Sequence, residues 1–98
     1  MPLSANEAAS LVRRAQELLA SGDLQVARAF LTRAAEAHDA RAALLLAKTF
    51  DPIVSKQSGV PDVGPDLAQA RNWYQRAREL GSPEAQRQLD ALASYRRR

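Results

Sequence analysis

Cysteine is absent from this chain of 98 residues, so disulfides, thiolate metal ligands and a cysteine nucleophile are all excluded. Histidine occurs once, at His38, which rules out metal sites built on paired histidines. Strand-forming residues are sparse. Valine appears only at Val12, Val26, Val54, Val60 and Val63, and Ile53 is the single isoleucine, too few for a sheet. Glycine-rich phosphate loops are missing as well: Gly59 and Gly64 lie five apart, but no Gly-Lys-Ser/Thr follows. The longest apolar run, Ala42 to Ala47, is far short of the roughly 20 residues a membrane helix needs. The start, Met1-Pro2-Leu3-Ser4-Ala5-Asn6-Glu7, lacks the basic stretch and apolar run of a secretory signal, and a soluble cytoplasmic protein is expected.

What remains is rich in alanine, leucine and arginine. Hydrophobic residues make up 46% of the chain, enough for the core of one domain, and their type favours close-packed helices. The net charge is +3, and Arg96, Arg97 and Arg98 account for all of it, leaving the body of the chain neutral. Every other basic residue except Lys48 and Lys56 is also an arginine, most of them interleaved with Asp or Glu along helical faces. This is the pattern of a solvated, ion-paired surface rather than a phosphate track. Three arginines in a tail, residues 95–98, give too few phosphate contacts for tight nucleic-acid binding at physiological salt.

The strongest signal is internal. The stretch Asp23-Leu24-Gln25-Val26-Ala27-Arg28-Ala29-Phe30-Leu31-Thr32-Arg33-Ala34-Ala35-Glu36 aligns, 43 residues on, with Asp66-Leu67-Ala68-Gln69-Ala70-Arg71-Asn72-Trp73-Tyr74-Gln75-Arg76-Ala77-Arg78-Glu79. The same offset sets Ala42 against Ala85 and Leu46 against Leu89. A fixed period of this length marks a helical repeat. Local signals place five helices. Ser4 and Glu7 form a capping box before a first helix with Ala8, Leu11, Val12, Ala15, Leu18 and Leu19 on one stripe. Gly22 ends it and Asp23 caps the second helix, which turns Ala27, Phe30, Leu31 and Ala34 inward. Asp39 caps a third helix over residues 40–50 that is apolar nearly all round. Residues 51–65, with Pro52, Pro61, Pro65, Gly59 and Gly64, read as a loop. Asp66 caps the fourth helix, which ends at Gly81, and Ser82-Pro83-Glu84 reads as the start of the fifth. That last helix is half polar, with Gln86, Arg87 and Asp90 opposite Ala85, Leu89 and Leu92, as a terminal cap requires. The expected fold is an all-α short solenoid: a hairpin over 4–37, a second over 39–80 carrying the loop, and a terminal helix over 82–94, two and a half repeats in one domain.

The set Ala42-x-x-x-Leu46-Ala47-x-x-Phe50, Gly59-Val60, Asp66-x-x-x-Ala70-x-x-Trp73-Tyr74-x-x-Ala77-x-x-x-Gly81-x-x-x-Ala85-Gln86-x-x-Leu89 resembles the Sel1-like repeat, a relative of the tetratricopeptide repeat. The earlier unit, with Ala15, Leu18, Gly22-Asp23, Ala27, Leu31 and Ala34, resembles a plain tetratricopeptide unit. Two departures stand out: the stretch after Phe50 is longer than the family's usual connection, and Ala47 sits where glycine is typical. The resemblance implies a concave groove lined by the first helix of each hairpin. It assigns partner contacts to Val12, Gln16, Arg41, Leu44, Lys48 and Arg87. Val12, Gln16 and Leu45 occupy points where carboxylate-gripping tetratricopeptide domains carry lysine and asparagine, so that clamp is not reproduced.

No catalytic motif, cofactor site or metal site is legible, and the chain is expected to be a non-catalytic module binding a protein or peptide. Two other readings are a nucleic-acid accessory module using Arg96 to Arg98, and the structural repeat end of a larger, membrane-tethered protein. The latter would associate with itself through an apolar end helix.

Overall fold

The computed structural model describes residues 2–57 and 64–95, and among them there is no strand. Six helices follow one another: α1 Ala5–Ala20, α2 Leu24–Glu36, α3 Ala40–Phe50, α4 Pro52–Gln57, α5 Leu67–Glu79 and α6 Ala85–Ser94. They form a short all-α solenoid in which α1 pairs with α2 and α3 with α5 as antiparallel hairpins, α2 abuts α3, and α6 closes the row on α5. The body measures 45 × 29 × 17 Å. Its thinnest dimension fits two layers of helices about 10 Å across.

The repeat is as regular in space as in sequence. Helices α2 and α5 start and end 43 residues apart. Four matched pairs, Ala27 and Ala70, Leu31 and Tyr74, Ala34 and Ala77, and Ala42 and Ala85, are completely buried. Alanine at three of these pairs lets backbones approach closely, and the larger side chain fills the space between hairpins. Phe30 and Trp73, also matched, are half-buried against the rim of the core.

The helix ends repeat too. After α2, the N–H groups of Ala37, His38 and Asp39 donate to the carbonyls of Arg33, Ala35 and Ala34, and after α5 those of Leu80, Gly81 and Ser82 donate to Arg76, Arg78 and Ala77. This closure needs a residue of positive φ, supplied by Gly81 at 103° and, unusually for a side-chain-bearing residue, by His38 at 70°. At the N-termini, Ser4 and Glu7 form the expected capping box, and Asp39 and Asp66 accept from the N–H groups of Ala42 and Gln69. Asp23 occupies its cap position without a side-chain bond.

Two expectations need correction. The first six residues after Asp51 are the helix α4, so the predicted loop is helical over Pro52–Gln57; residues 58–63 lie outside the described residues. The reason is local: Asp51 acts as a cap, its carboxylate accepting from the N–H of Ile53 and its carbonyl from the N–H of Ser55, while Pro52 supplies a φ already suited to a first helical turn. Conversely, α6 begins at Ala85, with Ser82, Pro83 and Glu84 in the preceding turn and no side-chain cap at Glu84, because the Glu84 carboxylate is engaged elsewhere.

Candidate partner-binding face

The first helices of the successive units, α1, α3 and α6, carry the six residues assigned to partner contacts. Helix α3 buries Ala42, Ala43, Leu44, Leu46 and Ala47, which leaves Arg41, Leu45 and Lys48 on its open side at i, i+4, i+7 spacing. Leu44 is therefore a core residue, 7% exposed, and Val12 on α1 is another at 4%. Neither presents a surface to a partner, because each faces the helix packed beside it. Gln16 is half-buried on α1, and Arg41 and Arg87 are exposed.

Lys48 is not a free cation. Its Nζ lies 2.8 Å from Glu84 Oε2, a bridge between the C-terminal turn of α3 and the turn before α6, with side chains 31% and 32% exposed. Gln88 Nε2 donates to the same carboxylate oxygen at 3.1 Å. The hydrogen bond from Lys48 lowers the pKa of Glu84, and the charge of Lys48, the Gln88 bond and the charge of Arg87 act in the same direction. Lys48, Glu84, Arg87 and Gln88 thus form one cluster, with Arg41 two helical turns away on α3, about 10 Å along the axis. Arg41 and Arg87 have no hydrogen-bonded or ion-paired partner among the described residues.

Two further constellations escaped the sequence. Asp51 is 1% exposed and Tyr74 wholly buried; the Tyr74 hydroxyl donates to Asp51 Oδ2 at 2.7 Å, and Oδ1 accepts from the N–H of Ile53 at 2.8 Å. Burial, the hydrogen bond to Asp51 and its charge raise the tyrosine pKa far above the usual phenol range. A phenol held neutral and sealed from solvent is a structural tie between α3, α4 and α5, not a reactive group. The second is Arg28, whose Nε donates to Thr49 Oγ1 at 3.0 Å and whose Nη2 donates to the carbonyls of Thr49 at 2.6 Å and Gly64 at 2.7 Å, while the guanidinium lies 3.9 Å above the centroid of the Phe50 ring. Together with the bond from Asp66 N–H to the Phe50 carbonyl, 2.8 Å, it ties the two ends of the 51–65 segment together. Desolvation lowers the Arg28 pKa and the charge of Asp66 opposes it; an arginine stays protonated regardless.

Elsewhere, an open depression of about 330 Å³ is lined by Pro2, Leu3, Arg33, Glu36, Ala37 and His38. His38 is exposed, with its Nδ1 3.4 Å from Arg76 Nη2. Among the described residues no group of three His, Asp or Glu side chains could hold a metal ion, and no helix is long and apolar enough to cross a membrane. Among the described residues the exposed large hydrophobic side chain is Val26, at 40%, on α2. Exposed polar residues on the two end helices include Ser10, Arg13, Arg14 and Glu17 on α1 and Gln86, Arg87 and Asp90 on α6. The tail arginines Arg96 to Arg98 lie outside the described residues. No family model matches the chain, and neither a curated protein nor a solved structure matches it significantly.

Proposed function

We propose that the chain is a non-catalytic interaction module of the tetratricopeptide or Sel1-like kind, which binds a protein or peptide segment across the open sides of α3 and α6. The observation that carries this reading is the pairing of a two-layer helical repeat with an exposed arginine, Arg41, that has no partner among the described residues and lies one helical turn from the half-exposed Leu45. Repeats of this type stack helices into extended surfaces suited to macromolecular partners. Tyr74 and Asp51 are hydrogen-bonded to each other inside the core.

The reading is tested by affinity capture from nuclease-treated lysate of the source cells, comparing the wild-type chain with Arg41→Glu/Arg87→Glu. Both positions are exposed, so the variant keeps its fold, and a protein retained by the wild type and lost by the variant is the expected outcome. Proteins retained equally by both would remove this face from the account. Recovery that disappears with nuclease would favour the nucleic-acid reading instead.

A further inference from the structure

Alone among the six helices, α4 buries no residue. Pro52 to Ser55 are half-buried, Lys56 and Gln57 are exposed, and the helix packs on α3, which it directly follows. Isolated helices of six residues do not persist in water, because so few hydrogen bonds do not offset the cost of nucleation. What holds α4 is its first turn. Asp51 accepts from the N–H of Ile53 with Oδ1, at 2.8 Å, and from the N–H of Ser55 with its carbonyl, at 3.0 Å, and the Ile53 side chain rests on the rim of the core. The carboxylate is fixed in turn by Tyr74, whose hydroxyl donates to Oδ2.

The frame around α4 closes without it. The Asp66 N–H donates to the Phe50 carbonyl at 2.8 Å, and Arg28 Nη2 bridges the carbonyls of Thr49, at 2.6 Å, and Gly64, at 2.7 Å. Asp51 itself is tied back to α3 by its N–H, which donates to the Lys48 carbonyl at 3.2 Å. None of these bonds involves a residue of α4, so unwinding it leaves the α3–α5 hairpin joined as before. We infer that α4 is a strap that opens and closes as a unit on a standing core, and that the buried Tyr74–Asp51 pair is its fastening. Opening releases Oδ1 of Asp51 and lifts Ile53 from the core rim, while the other five helices keep their packing. Segments with few buried apolar contacts occupy the low end of the range of local opening free energies. By holding Asp51 in its capping orientation, a side chain of α5 sets how often α4 opens.

The test is backbone amide hydrogen exchange of the full chain, followed by NMR across a series of low urea concentrations. In the wild type the amides of Ile53 and Ser55 are expected to exchange at least about tenfold faster than the slowest amides of α3 and α5. Their rates should barely respond to urea, because a small opening exposes little surface, whereas the slowest amides of α3 and α5 accelerate with it. Asp51→Ala/Tyr74→Phe removes both polar groups together, so neither is left buried without a partner. It is expected to abolish protection at Ile53 and Ser55 while amides within α1, α2, α3 and α5 keep theirs. Wild-type Ile53 and Ser55 amides that exchange at the rate of α3 and α5, with the same urea dependence, overturn the strap. Protection kept at both amides in the double variant overturns the fastening, as does a parallel loss across all helices, which would show that the pair holds the whole core; the wild-type urea series then decides the strap by itself.

Discussion

Helices α2 and α5 are the same helix written twice, and the positions where they part company show what each copy does beyond packing. Where α2 buries Leu31, α5 buries Tyr74, whose hydroxyl brings a polar demand into the core. Asp51 meets it, and in doing so fixes the start of α4. Where α2 has Arg28, tied to Thr49 and Gly64 and laid over Phe50, α5 has Arg71, exposed in solvent. The second hairpin carries an extra segment between its helices that the first lacks, and both differences serve that segment: one tie anchors its beginning, the other its end. The shared positions make a repeat, and the divergent ones accommodate an insertion.

The comparison is broken most severely at Tyr74. Tyr74→Phe leaves the Asp51 carboxylate with only the Ile53 bond among those described, and stability should fall by about 1–3 kcal/mol in urea unfolding. The hydroxyl also has a pH signature. The folded state holds the Tyr74 proton at pH values where a tyrosine of the unfolded chain, with a pKa near 10, has released it. Its contribution is therefore complete below that value and is lost as pH rises above it, at up to about 1.4 kcal/mol per pH unit. The Phe variant should show less of this alkaline loss than the wild type; equal alkaline slopes would contradict the account. Next comes the arginine pair: Arg28→Ala should cost about 1–3 kcal/mol, and Arg71→Ala, at the matched position, no more than about 0.5 kcal/mol. Similar costs at both would show that Arg28 does not hold the segment. The smallest effect lies at the helix ends. His38→Gly relieves a left-handed backbone and should gain up to about 1 kcal/mol, whereas Gly81→Ala, with open space around the added carbon, should lose about 1 kcal/mol from backbone strain alone. Thermal melts of both variants would show whether opposite signs appear.

Much of this architecture was legible in the chain. The 43-residue register, the Ser4–Glu7 box and the caps at Asp39 and Asp66 all act locally, and so they can be read locally. What escaped depends on residues far apart in sequence. Serine followed by proline at Ser82-Pro83 promised a helix start, yet the regular helix begins at Ala85, with Glu84 as its N-cap and its carboxylate paired to Lys48. The same type of signal, an acid followed by proline at Asp51-Pro52, did start a helix inside an expected loop, because Tyr74 secures the capping side chain. Among the groove residues, helical spacing alone could not tell which side of α3 faces a neighbour. Leu44 and Val12 went to the core and Lys48 to an ion pair, whereas Arg41 and Arg87 remained open.

The polar outer sides of α1 and α6 have a further consequence. At the places where α3 buries Ala43, Leu44 and Ala47 beneath its neighbours, α6 carries Gln86, Arg87 and Asp90. A further unit docked there would have to strip water from an amide and two charges and return nothing for it. Lengthening the array by design would therefore begin with replacing those three side chains rather than with copying another hairpin.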